Sequence, residues 1–325
     1  MRRVHDPAAE IDGGYDLVST VDRALGWVAR NLNEFDPLAT DRRFDIPRMK
    51  RFTEMALMLS VYVGATGDTS RPAIRGPIEL LAASLEEPRF FDWAMRSPAA
   101  MLQHLHLYTA YRTAVGESPA QRTLILRALH NGFDRFVERP PYRLLEFRMC
   151  MEWLELPDRG PSWCELLDRS TAASLPAALH LRVDDLYALT HVVMFATRIG
   201  LEPPDRFTPE QIARFEPLLS DLIIAMCQEG HWDLLGELLM CWDCLHLPST
   251  PIVRRAWAAF VRMQAADGSL PPTSARDDHD ADPATDEGRK QRVALRYHTT
   301  LVAIIAGSIR QRRLGQVPDL VKGAA

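Results

Sequence analysis

Carboxylates and imidazoles recur at the starts of three apolar segments in the C-terminal half of this 325-residue chain. Asp184 and Asp185 open one segment, His231, Trp232 and Asp233 the next, and Tyr297 and His298 the last. Arg143 heads an earlier segment, and Glu146, His191 and Glu237 lie about one helical turn further along theirs. Two neutral imidazoles and a carboxylate leave open positions on a divalent transition metal such as zinc or iron. His231, Asp233 and His298 are therefore the candidate metal ligands, with His191 able to replace one of them. Asp185, Glu237 and His191 are the candidates for moving protons, since carboxylates and imidazoles are the usual groups for that task. Tyr187, Trp232, Arg143, Glu146 and Tyr297 are candidate substrate contacts, because an apolar wall carrying a few polar groups suits a small molecule. The same residues have structural uses. Aspartates at helix starts commonly serve as N-caps or first-turn acids, and His298 can be a satisfied core histidine. No Ser-His-Asp order, glycine-rich phosphate loop or His-Glu-x-x-His helix is present.

These residues can meet only if the segments carrying them converge. Apolar residues recur at three- and four-residue spacing, and alternating strand-like runs closed by Asn-Gly or Asp-Gly are missing, so the chain reads as all-α. One series of segments has a polar outer face: Asp16 to Leu32, Ile74 to Leu85, Ala120 to Phe136, Ser162 to Leu175, Pro209 to Gln228 and Pro251 to Ala266. A second series is apolar almost all round, as for helices packed on every side: Met49 to Gly64, Pro98 to Val115, Arg143 to Leu154, Asp184 to Ile199, Trp232 to Leu245 and Tyr297 to Arg310. The two alternate. Six pairs predict an (α/α)6 toroid of six inner and six outer helices, in which the first turns of the inner helices meet at one rim of a central cavity. His104 and Tyr108 share a helix face, with core packing their commoner use. Glu237 and Cys241 form a second such pair, read as facing the cavity.

With 47% hydrophobic and 25% charged residues, the chain has the balance of a globular protein. A net charge of −5 without basic clusters argues against nucleic-acid binding. No apolar run reaches the roughly 20 residues of a membrane span, and the first residues lack a signal-peptide core. The five cysteines fall inside helical patterns, which suits reduced thiols in a cytoplasmic protein, and Cys241-x-x-Cys244 reads as a buried reduced pair. The predicted organisation is a flexible N-terminus over 1–14, one domain over 15–313 and a tail over 314–325. A connector over 268–292 is rich in aspartate and reads as a mobile, hydrated loop.

Arg254-Arg255-Ala256-Trp257, followed by Phe260, Gln264 and Asp267-Gly268-Ser269, resembles the outer-helix repeat of terpenoid cyclases, with Leu270 where that repeat has an aromatic residue. Ala24-Leu25-Gly26-Trp27 is a fainter echo. Tyr297-His298-Thr299-Thr300 is similar to a motif of protein prenyltransferase β subunits, whose histidine ligates zinc. Where that family has Asp-x-Cys, the spacing here gives His231-Trp232-Asp233. The resemblance implies a toroid with a central cavity and a rim metal at His298. In the cyclases an Asp-x-Asp-Asp motif supplies the acid. Here Arg182 replaces its first aspartate, leaving Asp184 and Asp185 to share a proton through like-charge repulsion. The expected activity is cyclisation, elimination or hydrolysis, metal-assisted, of a partly apolar small molecule or peptide in bacterial specialised metabolism. A non-catalytic binding or scaffold protein using the same concavity is the alternative, and a metal-free, cyclase-like acid catalyst is a third. Neither membrane nor nucleic acid is an expected partner, and no oligomeric state is assigned.

Overall fold

The computed structural model describes residues 15–38, 46–135, 137–175, 177–274 and 285–316. Among them are α-helices and short 3-10 turns and no strand. The expectations for 1–14, for 317–325 and for the Asp277–Asp280 part of the acidic connector lie outside the described residues. Among the described residues, no helix is long and apolar enough to cross a membrane.

We number the helices α1 (Leu17–Arg30), α2 (Ile46–Thr66), α3 (Pro72–Glu86), α4 (Pro88–Arg96), α5 (Met101–Ala114), α6 (Pro119–His130) and α7 (Pro141–Trp153). There follow α8 (Trp163–Asp168), α9 (Thr171–Ser174), α10 (Val183–Ala196), α11 (Pro209–Glu229), α12 (Trp232–Cys244), α13 (Pro251–Arg262) and α14 (Asp286–Arg313). Helix α2 packs on α5, α5 on α7, α7 on α10, α10 on α12, α12 on α14, and α14 returns to α2. The order of contacts is therefore cyclic. Around it, α1 lies on α14 and α3, α11 on α12 and α13, and the short α8 and α9 on α7 and α10.

Sequence explains these roles. In α1 the buried positions Leu17, Val21, Ala24, Leu25 and Val28 follow the three-to-four spacing of one face, and the Asp16 carboxylate caps the start by accepting the Ser19 N–H at 2.9 Å. In α12 every residue from Trp232 to Cys244 is buried, so the helix is packed on every side. Helix α11 starts at a Thr208–Gln211 capping box and stops at Gly230, whose φ of 67° is the left-handed conformation that glycine adopts without strain. His231 follows at once as the N-cap of α12, so the chain reverses within two residues. At Gly236 a Cβ would sit 2.7 Å from Val302 Cγ1 and 2.8 Å from Phe260 Cζ. Its absence lets α12 approach α14 closely.

Three expectations about helix bounds are corrected. The outer segment Ser162 to Leu175 is broken into α8 and α9, the break falling at Arg169 and Ser170, where the Ser170 hydroxyl turns back to the Leu167 carbonyl at 2.7 Å. A helix not anticipated, α4, is started by Pro88 at its first position. The helix expected from Tyr297 begins instead at Asp286, with the Thr285 hydroxyl accepting the Gly288 N–H at 3.0 Å. Residues 286–292 of the supposed loop are thus helical, and His298 stands well inside α14 and away from its first turn. Cys241 is fully buried rather than cavity-facing, and Tyr108 is fully buried in the core, as its commoner use predicts, donating to Glu117 at 2.8 Å. Cys150, Cys241 and Cys244 are sealed in the interior as free thiols.

The segment resembling the cyclase repeat ties distant parts together. The Gln264 side-chain amide donates to the Thr20 carbonyl of α1 at 2.8 Å and to the Gly268 carbonyl at 2.9 Å. The Leu270 N–H reaches Thr300 Oγ1 of α14 at 3.0 Å, and Trp257 stacks on Tyr15 with centroids 6.3 Å apart.

Candidate functional site

Three helices of the cyclic series build one polar cluster. Asp233 and Glu237 stand four apart on α12, hence on one face. Helix α14 supplies His298 and Thr299, and α10 supplies Tyr187, Thr190 and His191. Asp233 is the hub. Its Oδ1 accepts His298 Nδ1 at 2.7 Å and the Thr299 hydroxyl at 2.8 Å, and its Oδ2 accepts the Tyr187 hydroxyl at 2.7 Å. The Thr190 hydroxyl donates to Glu237 Oε2 at 2.5 Å, while Glu237 Oε1 lies 4.0 Å from His298 Nε2. His191 Nδ1 donates to the Tyr187 carbonyl at 2.5 Å, which leaves Nε2 as its free nitrogen. One donor atom from each of Asp233, Glu237 and His298 lies within 4.8 Å of the others.

The electrostatics follow from burial and pairing. Burial opposes a charged Asp233, but His298, Tyr187 and Thr299 hold its carboxyl well below the usual carboxylate range. Burial likewise opposes a charged His298, and the Asp233 carboxylate outweighs it, carrying the imidazole up to about 10. Glu237 is raised, chiefly because it is buried. The Tyr187 hydroxyl is pushed far up by burial and by Asp233 and so remains a donor.

Glu237, His298 and His191 line a chamber of about 120 Å³ with an apolar floor that includes Met194, Phe195, Met240 and Ile305. Glu54, Leu57, Arg143 and Glu146 line it too, and the same four residues line a second, outer chamber of about 570 Å³. The outer chamber holds a second cluster. His106 Nε2 is 2.8 Å from Glu146 Oε1, and Arg143 Nη1 donates to Glu146 Oε2 at 2.6 Å. Despite burial, His106 is raised to about 10 by Cys150 and Glu146, and Glu146 falls to about 2 against these two cations. A larger surface pocket of about 750 Å³ around Arg139 and Arg148 shares no residue with either chamber.

Of the residues singled out in the sequence, Glu237, His298, His191, Arg143 and Glu146 meet at the chambers, and Asp233 stands behind His298. Others do not arrive. His231 spends Nδ1 on the Leu234 N–H at 3.4 Å as the cap of α12, so Glu237 takes its place in the ligand group. Asp185 accepts both the N–H and Nε of Arg182 at 3.1 Å, the capping use of a first-turn acid, and lines neither chamber. Trp232 and Tyr297 are buried packing residues, Tyr297 edge-on to Phe35, and Tyr187 acts on Asp233 instead of lining a wall. Sequence reasoning missed Glu54, Thr190 and Thr299. Thr299 was visible as the neighbour of His298, but Glu54 and Thr190 carry no local signal.

Residues 21–308 match the family model described as Domain of unknown function (DUF6895). The chain belongs to the DUF6895 family. That span starts inside α1, ends inside α14 and takes in every residue lining either chamber. No curated protein and no solved structure matches the chain.

Proposed function

We propose that this DUF6895 chain is an enzyme built as an (α/α)6 toroid, with a divalent transition metal such as zinc or iron held at Glu237 and His298, acting on a partly apolar small molecule. The toroid reading is supported by the cyclic contact order, in which α14 packs on α2. The observation that carries the site is the convergence of Glu237 and His298, with Asp233 behind the imidazole, at a chamber floored by apolar side chains. The donor types fit: the His298 imidazole nitrogen and a Glu237 carboxylate oxygen are ligands that zinc and iron accept, with water or substrate to complete the shell. Asp233, already accepting three hydrogen bonds, serves better as the group that fixes the His298 ring with Nε2 toward the chamber. Thr190 orients Glu237 in the same way. A bound metal would polarise a carbonyl or lower the pKa of water. His191, with Nε2 free, would move a proton in the chamber, and the apolar floor would exclude water around it.

Metal analysis of the purified chain tests this. We expect about one zinc or iron per chain, lost in His298→Ala and in Glu237→Gln while helical content stays unchanged. Wild-type protein that takes up no metal at pH 8 ends the reading. Because the metal must displace the His298 proton, affinity measured by chelator competition should rise about tenfold per pH unit between 7 and 10. A metal-free proton-transfer reading is favoured by one observation, the His298 cation facing Glu237 at 4.0 Å. On that reading chelators leave turnover intact.

A further inference from the structure

The outer chamber carries a guanidinium at a helix position that does not favour a cation. Arg143 sits in the first turn of α7, the end of a helix where the macrodipole disfavours a cation. It is nonetheless held firmly there. One nitrogen donates to the buried Glu146, and the guanidinium lies over the Tyr142 ring at 5.2 Å from its centroid. Its side chain is still 44% exposed, and it lines both chambers.

Charge counting gives the sign of the ligand. Both Glu146 oxygens are occupied, one by His106 and one by Arg143, so two cations share a single carboxylate and one positive charge is left over. Lys50 and Glu54, 3.8 Å apart, offset each other. Ser97 and Gln103 add side chains able to donate hydrogen bonds, and Met49, Trp93 and Leu102 supply an apolar wall. A planar guanidinium pre-set by a buried partner suits a planar carboxylate, which it can meet with two parallel N–H groups at little ordering cost.

We propose that the outer chamber binds an amphipathic carboxylic acid, with its carboxylate on Arg143 and its apolar body along Met49, Trp93 and Leu102. This names the substrate class of the cavity and rests on the enzyme reading only for what happens next in the inner chamber. The rival ligand is a cationic amphiphile, because Glu54 Oε2 is buried without a hydrogen-bond partner.

Calorimetric titration of the full chain with octanoate, octylammonium and octanol separates the two. Octanoate should bind at least tenfold more tightly than octylammonium. Arg143→Gln should weaken octanoate tenfold or more and leave octanol unchanged, with Arg143→Lys between the two. Octylammonium binding as tightly as octanoate overturns the proposal, as does octanoate binding that ignores both Arg143 variants. Should Arg143→Gln lower the melting temperature, the Arg143→Lys titration decides. Repeating the octanoate titration on chelator-treated protein keeps the two readings apart. Arg143-dependent binding that persists in protein unable to take up metal sustains the carboxylate proposal and removes only the metal. Loss of that binding in protein that still takes up metal removes only the carboxylate.

Discussion

Asp233 governs the charge of the inner chamber, because a buried imidazole prefers to be neutral unless a carboxylate stands against it. Replacing Asp233 by Asn removes the largest opposing charge and leaves burial against the weaker pull of Glu54 and Glu237. The His298 titration, followed by NMR of the imidazole carbons, should then fall clearly below about 10. His298 and His106 have consequences for stability as well. Each has a folded-state pKa raised to about 10, so each contributes stabilisation that is fully present below pH 6.5 and is lost as the pH climbs through 10. Thermal melts should therefore show stability declining from pH 7 to pH 10, with a shallower decline in Asp233→Asn. A melting temperature flat over that interval would mean that neither imidazole is charged in the folded chain. Glu146 carries a second expectation. Its oxygens neutralise two buried or half-buried cations, and Glu146→Gln, by removing the carboxylate that faces both His106 and Arg143, should lower stability by about 1–3 kcal/mol in denaturant unfolding at neutral pH.

At the scale of elements, the site depends on how closely α12 and α14 approach, and Gly236 sets that approach from a position between Asp233 and Glu237. Gly236→Val drives a branched side chain into Val302 and Phe260. It should destabilise the fold by about 1–3 kcal/mol and weaken metal uptake, measured by denaturant unfolding and metal analysis. A variant that keeps both would show that the helices have room to separate without harm. Much of this level was legible in the sequence. Apolar residues almost all round α12 mark it as a helix packed on every side, and the four-residue spacing of Asp233 and Glu237 puts those two carboxylates on one face. The start of α14 was hidden because the stretch from Asp286 to Gln291 is polar, so that the 3.6-residue apolar signal fades even though Thr285 and two acids mark a helix start. His231 misled for a related reason. Imidazole is a ligand type, yet at this position it follows the glycine that ends α11, and its nitrogen is consumed by the backbone. Pairings such as Thr190 with Glu237, or Glu146 with His106, arise between helices 40 or more residues apart and leave no trace in local spacing.

Over the whole molecule, the cyclic order makes α14 the seam, since it touches α1, α2 and α12 at once. The Gln264 amide holds that seam from outside by bonding α1 to the turn before Leu270. Gln264→Ala should lower stability by about 1–2 kcal/mol, and helical dichroism and tryptophan fluorescence should still report one coincident transition. Separate transitions for the two probes would describe an open stack whose ends melt independently. The paired sequence pattern anticipated the alternation of helices, and the Trp257-to-Ser269 motif marked where the seam is tied. Substrate and partners have no comparable sequence signature, because they depend on which side chains turn into a shared space. A practical consequence follows from the sulfur atoms. Cys150, Cys241 and Cys244 have no exposed surface, whereas Cys164 lies outside and Cys227 is half-covered. An alkylating reagent should therefore mark two positions at most on an intact molecule and five on one that has opened. Each chain would carry a mass tally of whether it has come apart, readable from mixtures in which no optical signal could be resolved.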